Sequence, residues 1–159
     1  MFFKRKKESN LNLCAVVDGT TIEMEKVKDP VFAQKMMGDG FAIESTGNTF
    51  CACAKGKITA VFPSNHAYGL TLDDGMEVLV HIGIDTVNEN GQGFTCTHQM
   101  GDEVEAGDVI VEIDRDYLLS KGYDLTTMVI FTNPSTYSSF TCEYGKQVKM
   151  GEVCATYKK

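Results

Sequence analysis

The chain has no tryptophan, only three prolines and three histidines in 159 residues, and no Cys-x-x-Cys spacing. No apolar run approaches the roughly 20 residues that a membrane-spanning helix needs. Met1-Phe2-Phe3 leads directly into Lys4-Arg5-Lys6-Lys7, without the apolar core of a secretory signal. These absences lead us to expect a cytoplasmic protein, whose six cysteines (14, 51, 53, 96, 142 and 154) are reduced thiols rather than a disulfide framework. Cys51 and Cys53 would share one face of a strand, where a zinc site is one reading and small buried hydrophobes the favoured one. Positive charge is also scarce. The net charge is −7, and residues 4–7 hold four of the positive charges, leaving about −11 on the remainder. So acidic a body argues against nucleic acid as a partner, because phosphate binding needs a basic surface. It suits a solvated surface or a partner with a basic patch.

Glycine-bounded runs rich in Val, Ile, Phe and Thr recur about every ten residues: Ile58 to Phe62, Leu70 to Leu72, Met76 to Ile84, Val109 to Ile113 and Met128 to Thr132. That spacing predicts an all-β fold, an antiparallel sandwich or barrel with short helices at its edges. Asp114 caps one short helix through Leu119, which Gly122 stops; a second helical turn is expected from Pro30 to Met37, before a turn at Gly38-Asp39-Gly40. Gly-x-x-Val-x-x-Gly-acid-Val occurs twice, at 101–109 and at 145–153, and Cys14-Ala15 before Gly19 echoes Cys51-Ala52 before Gly56. This weak duplication predicts two half-units around a pseudo-symmetric core. Residues 1–10 read as a flexible basic tail whose residues 2–7 could touch an anionic membrane surface weakly. Residues 11–159 read as one domain, long enough to bury a core.

With three histidines in the chain, bringing two together is informative. His66 and His81 flank Asp73-Asp74-Gly75, and Asp-Gly between alternating apolar runs signals a two-residue type I′ hairpin turn. That turn pairs Tyr68 with His81 and His66 with Gly83, so both rings share a face as diagonal cross-strand neighbours. A three-residue loop would shift the register by one and send the rings to opposite faces. On the expected face, Tyr68, Leu70 and Leu79 form an apolar platform that disfavours imidazolium, and Gly83 leaves room for a bulky group. Ser64 can orient the His66 ring through its hydroxyl. His98, in a polar loop, reads as structural or exposed.

Three chemistries fit two such imidazoles. Metal binding needs a further ligand, which Asp85 or a cysteine would have to supply, and neither His-x-His nor His-Glu-x-x-His occurs. Base catalysis for a serine lacks a Gly-x-Ser-x-Gly elbow. In the third, one imidazole is itself the nucleophile that carries a group while the other steadies the developing charge. The apolar surroundings favour this last reading, at a shallow site open to a macromolecular donor.

Val80-His81-Ile82-Gly83-Ile84-Asp85-Thr86-Val87 and Asn65-His66-Ala67-Tyr68 resemble enzyme IIA of the glucose family in the bacterial phosphoenolpyruvate-dependent sugar phosphotransferase system. So do Asp29-Pro30-Val31-Phe32-Ala33, Gly38-Asp39-Gly40, Thr46-Gly47-Asn48 and Gly91-Gln92-Gly93-Phe94, in order from about residue 11 to the C-terminus. The resemblance implies an antiparallel sandwich acting as a phosphocarrier without a cofactor. It implies that His81 accepts a phosphoryl group on Nε2 from the phosphocarrier protein HPr and passes it to a cysteine of the IIB domain of a sugar permease. His66 then steadies the phosphoryl group and Ser64 orients His66. The partner-docking rim maps to Phe32, Met36, Met37, Phe62, Leu79 and Val87. The chain departs from the family's usual Ala-Pro-x-x-Gly in reading Ala52-Cys53-Ala54-Lys55-Gly56. Its length predicts action in trans on separate IIB and membrane-embedded IIC domains. The alternative is a regulatory module that reports sugar supply by docking to other proteins; a third reading is a zinc hydrolase on a related fold, which the missing His-x-His disfavours.

Overall fold

The computed structural model describes residues 11–159. The basic tail and its expected membrane-surface contact lie outside the described residues. The strands are β1 Leu11–Cys14, β2 Gly19–Glu23, β3 Asp39–Ser45, β4 Thr49–Cys51, β5 Gly56–Val61, β6 Ala67–Leu72, β7 Glu77–Ile82, β8 Phe94–Cys96, β9 Glu103–Val104, β10 Val109–Ile113, β11 Thr127–Phe131, β12 Ser139–Cys142, β13 Gln147–Val148 and β14 Val153–Lys158. An eight-stranded sheet runs β13-β2-β3-β11-β7-β6-β5-β9, and two three-stranded sheets run β1-β14-β12 and β4-β10-β8. Every pairing is antiparallel. The expected all-β sandwich is borne out.

Alternation along the strands builds two cores. Tyr68, Leu70, Val78, Val80, Ile82, Phe41, Ile43, Val129 and Phe131 belong to the main core. Ala67, Leu79, Ala42, Met128 and Ile130, on the other face, form a smaller cluster with Met24, Val27 and Phe32. β11 is apolar at nearly every position and buried throughout because both of its faces are covered. Burying side chains of this size stabilises the fold by about 1.5–3 kcal/mol each relative to exposure.

The duplication is carried out in hydrogen bonds. Gly101 N donates to Ile58 O (2.8 Å) as Gly145 N does to Thr21 O (2.7 Å), and Gly107 N donates to Ala52 O as Gly151 N does to Ala15 O, both at 2.9 Å. The motif's acid has a job in each copy: Asp108 accepts from Glu105 N (2.8 Å) and Glu152 from Lys149 N (3.0 Å), closing the turn. The sheet order is palindromic in these terms. The segment β4 to β10 forms one unit, inserted between β3 and β11 of the other, and β7 meets β11 in the middle of the large sheet. Cys14 and Cys51 are equivalent under this symmetry, and each thiol reaches across it, to Ala52 O (3.3 Å) and Ala15 O (3.4 Å). Cys53, where the family pattern has proline, is buried, and Cys14 N donates to its carbonyl at 2.8 Å.

The hairpin differs from the two-residue expectation. Leu72 N bonds to Met76 O and Gly75 N to Leu72 O, so Asp73, Asp74 and Gly75 form a three-residue loop with Gly75 left-handed at φ +95°. A type I′ turn would need positive φ at Asp74 as well. Instead, the Asp74 carboxylate accepts from Met76 N (3.0 Å) and from the Tyr157 hydroxyl (2.6 Å), while Lys159 Nζ donates to its carbonyl (2.9 Å). Contacts from the C-terminal strand thus select the turn. His81 consequently pairs with Ala67, and Tyr68 with Val80.

Both short helices form, the first shorter than expected. Helix α2, Arg115–Ser120, is capped by Asp114 through Tyr117 N (3.1 Å). Helix α1 covers only Pro30–Ala33, capped by Asp29 through Val31 N (2.9 Å), because Lys35 at φ 59° turns the chain out of the helix. Gly38-Asp39-Gly40 is not a separate turn: Asp39 and Gly40 open β3 opposite Phe131 and Ile130. A Cβ on Gly40 would lie 1.9 Å from Val129 O, which explains the glycine.

Candidate functional site

His66 and His81 do meet, with ring centroids 5.0 Å apart and planes inclined at 81°. Strict alternation after the register shift would have separated them. They meet because His66 lies just before β6, following Asn65 in the left-handed region at φ 59°, where strand alternation does not apply. The His66 carbonyl accepts from Ile82 N (2.8 Å), anchoring this corner beside β7.

The platform beneath the rings is not the expected one. Tyr68 and Leu70 point into the main core, and the Tyr68 hydroxyl donates to Cys51 O at 2.8 Å. The rings instead adjoin the smaller cluster of Ala67, Leu79, Met128, Ile130 and Phe32. Phe32 packs 4.9 Å from the His81 ring and Phe62 lies edge-on 5.6 Å from His66. Gly83 is no vacancy either. A Cβ there would lie 2.5 Å from Thr86 Cγ2, and its φ of +80° suits glycine, so the residue serves a close approach and a reversal of the chain.

What Gly83 supplies is its carbonyl, 2.9 Å from His81 Nδ1. A carbonyl can only accept, so Nδ1 carries the proton and the neutral ring leaves the Nε2 lone pair free. Ser64 Oγ lies 2.5 Å from His66 Nδ1. If the hydroxyl donates there, His66 keeps a proton on Nε2 and becomes a donor. Burial pushes the His66 pKa from 6.5 down to about 4, with the neighbouring His81 acting in the same direction. Burial also lowers His81, opposed by the Gly83 carbonyl and by the carboxylates of Asp29 and Asp85. The pair thus offers one free nucleophilic nitrogen beside a buried neutral imidazole, an arrangement suited to accepting and steadying an electrophilic group.

Among the rim residues, Met36 (69% exposed), Val87 (50%) and Met37 (39%) are open to solvent, Phe62 is partly exposed, and Phe32 and Leu79 are buried against the smaller cluster. His98 stands apart, in the segment before β9, beside the Thr97 hydroxyl at 3.1 Å. Among the described residues, no group of three or more His, Cys, Asp or Glu side chains could hold a metal ion. A cavity of about 610 Å³, lined by Thr46, Asn48, Glu112, Asp114 and Arg115 among others, contains neither ring. Sequence reasoning missed the influence of Asp29 on His81, although Asp29-Pro30 was legible as a helix start. It also missed Met128 and Ile130, whose place beneath the rings depends on β11 pairing with β7.

A duplicated antiparallel sandwich with this histidine pair on one apolar face defines a class, the duplicated β-sandwich domains with a paired-imidazole site. Similarity to known proteins narrows it. A family profile described as phosphoenolpyruvate-dependent sugar phosphotransferase system, EIIA 1, matches residues 11–137. The PTS system glucose-specific EIIA component of Halalkalibacterium halodurans is 41% identical over 138 residues, covering 87% of this chain and 80% of that protein. The PTS system glucose-specific EIICBA component of Streptococcus pneumoniae is 42% identical over 137 residues, which is 86% of this chain but 19% of that longer protein. The solved glucose permease IIA from Mycoplasma capricolum superposes with a TM-score of 0.86 at 39% identity, covering 98% of this chain and 99% of that one. The chain belongs to the EIIA 1 family of the sugar phosphotransferase system, and is a phosphotransferase component with the family's phosphocarrier role.

Proposed function

We propose that His81 is the residue that carries the phosphoryl group, accepting it from HPr and passing it to a cysteine of a IIB domain of a sugar permease. The observation that carries this reading is the Gly83 carbonyl on His81 Nδ1, which leaves Nε2 as the free nucleophile. In the forward step the Nε2 lone pair attacks phosphorus, the N–P bond forms, and the bond from phosphorus to the donor breaks, its electron pair leaving with the donor. The His81 ring gains positive character as it bonds to phosphorus, and the Gly83 carbonyl stabilises the Nδ1–H. His66, neutral at physiological pH, donates from Nε2 to a phosphoryl oxygen, while Ser64 fixes that tautomer from behind. The thiolate of the IIB domain then takes the phosphoryl group and the electron pair returns to Nε2.

The partners dock on the rim of Phe32, Met36, Met37, Phe62, Leu79 and Val87, of which Phe32 and Phe62 pack on the two rings while the exposed Met36, Met37 and Val87 suit a transient protein interface. Residues 11–159 act as one phosphocarrier domain in the cytoplasm, in keeping with the absence of any helix among the described residues long and apolar enough to cross a membrane. The test is to incubate the protein with phosphoenolpyruvate, enzyme I and HPr and to measure an acid-labile, base-stable phosphoryl adduct. His81→Ala is expected to abolish labelling; undiminished labelling of that variant would falsify the assignment.

A further inference from the structure

Between β7 and β8 the chain runs through residues 83–93 with little regular structure. Gly83, Asp85, Asn90, Gly91 and Gly93 all have positive φ, between 55° and 90°. Such a backbone depends on contacts from elsewhere to hold it in one conformation. It carries the Gly83 carbonyl against His81 and the half-exposed Val87, and Gly91 approaches the backbone of Ser64.

Ties to the segment leading into β11 hold its first half: Gly83 N donates to Thr126 O (3.1 Å) and Ile84 N to Asp124 O (2.9 Å). The Thr86 hydroxyl donates to Ile82 O, at the end of β7. At the far end of the 3-10 turn Thr86–Glu89, the Glu89 carboxylate accepts from two phenols, Tyr117 of α2 on Oε1 and Tyr123 on Oε2 (2.7 Å). Gln92 closes the group, with its side-chain amide 2.9 Å from the Tyr117 hydroxyl. Gly83, Ile84 and Glu89 are therefore anchored to one neighbouring stretch, 123–126, which aligns the turn with the strand bearing His81.

We propose that Glu89 is a positioning residue for phosphoryl transfer: held between the Tyr117 and Tyr123 hydroxyls, its carboxylate sets the far end of the 3-10 turn, and with it Val87, for the docked donor. This inference rests on the assignment of His81 as acceptor and of Val87 to the docking rim. Without the carboxylate, the end of the 3-10 turn beside Val87 loses both of its phenol contacts and is held to α2 only through Gln92 on Tyr117 and through Gly93 O, which accepts from Asp114 N (2.9 Å), so Val87 presents a less fixed surface to a partner.

The test uses the whole chain with phosphorylated HPr as donor and compares Glu89→Ala, Glu89→Gln and the double variant Tyr117→Phe/Tyr123→Phe. Glu89→Ala is expected to raise KM for phospho-HPr by about five-fold while kcat changes by less than about two-fold. Glu89→Gln, which can still accept one phenol, should recover part of that loss. The double tyrosine variant should reproduce the Glu89→Ala effect, and adding Glu89→Ala to it should change KM no further. The ¹⁵N signals of the His81 ring should stay as in the unaltered protein, because Gly83 N and Ile84 N keep their bonds to Thr126 O and Asp124 O; a shift there would place the effect at the ring rather than at docking and overturn the inference. An unchanged KM in Glu89→Ala, even with a lower melting temperature, overturns the inference and leaves Glu89 as a structural residue only. Failure of the unaltered protein to be phosphorylated on His81 at all overturns the underlying assignment, and this inference with it.

Discussion

The two half-units have the same strand plan but contribute differently to the site. β2 with β3 matches β5 with β6: Gly19 pairs with Ser45 and Gly56 with Leu72, and a Cβ on either glycine would strike the carbonyl of the facing strand, at 2.3 Å from Glu44 O or 2.5 Å from Thr71 O. Counting from these pairs, Asp39 is the counterpart of His66. Around the central pair Val129 with Val80, Ile130 is the counterpart of His81. Both histidines therefore come from the unit of β4 to β10. The other unit has a longer connection between β2 and β3, and folds its 3-10 turn Met24–Lys26 and α1 over the smaller cluster to bring Phe32 beside His81. Duplication supplies the scaffold, and unequal connections supply the site. The lesson is that symmetry in strand pairing places no constraint on chemistry at loop and strand-end positions.

The largest effect that sharpens this contrast is expected at the histidine whose counterpart is an aspartate. His66→Ala should still accept the phosphoryl group but transfer it to a IIB domain about 10²–10³-fold more slowly, the usual cost of removing one donor to a developing charge. Stopped-flow transfer at the unaltered rate would remove the role assigned to His66. Where the units match, substitutions should cost alike. Gly19→Ala and Gly56→Ala should each destabilise by about 1–3 kcal/mol in urea unfolding, with neither changing the His66 tautomer. Markedly unequal costs would show that the halves are not energetically equivalent.

Smallest is the expected effect at Ser64. Loss of its hydroxyl removes the partner of His66 Nδ1, so Ser64→Ala should let the His66 ring exchange between tautomers and slow transfer by about a few-fold. ¹⁵N NMR of the ring nitrogens reads the tautomer directly. The sign follows for stability: between pH 6.5 and 4 the unfolded chain binds the proton that folded His66 refuses. Folded stability at this group is thus complete above pH 6.5 and declines as pH falls toward 4.

The strands and their all-β class were legible in the chain because β-branched and aromatic runs bounded by glycine carry their own signal. The duplication was legible because its turns repeat glycine and an acid at fixed offsets. The histidine pair was expected on one face and is found together, but through a different route. Asp73-Asp74-Gly75 reads as a two-residue turn until Tyr157 and Lys159 are seen to hold Asp74. Tyr68 and Leu70 were consequently placed on the wrong face, since a one-residue slip reverses every side chain. The glutamate clamp at Tyr117 and Tyr123 was not legible, because its members are 28 and 34 residues from Glu89.

By itself, then, the sequence determined what local chemistry and periodicity encode: strand runs, helix caps, repeated turns, and the motifs around His66 and His81. The tertiary structure alone decided the hairpin register, the residues beneath the rings, and the carbonyl that holds the His81 proton on Nδ1. Those depend on contacts between segments far apart in the chain: the C-terminal strand on Asp74, β11 beside β7, and the turn after Ile82 that aims the Gly83 carbonyl at His81.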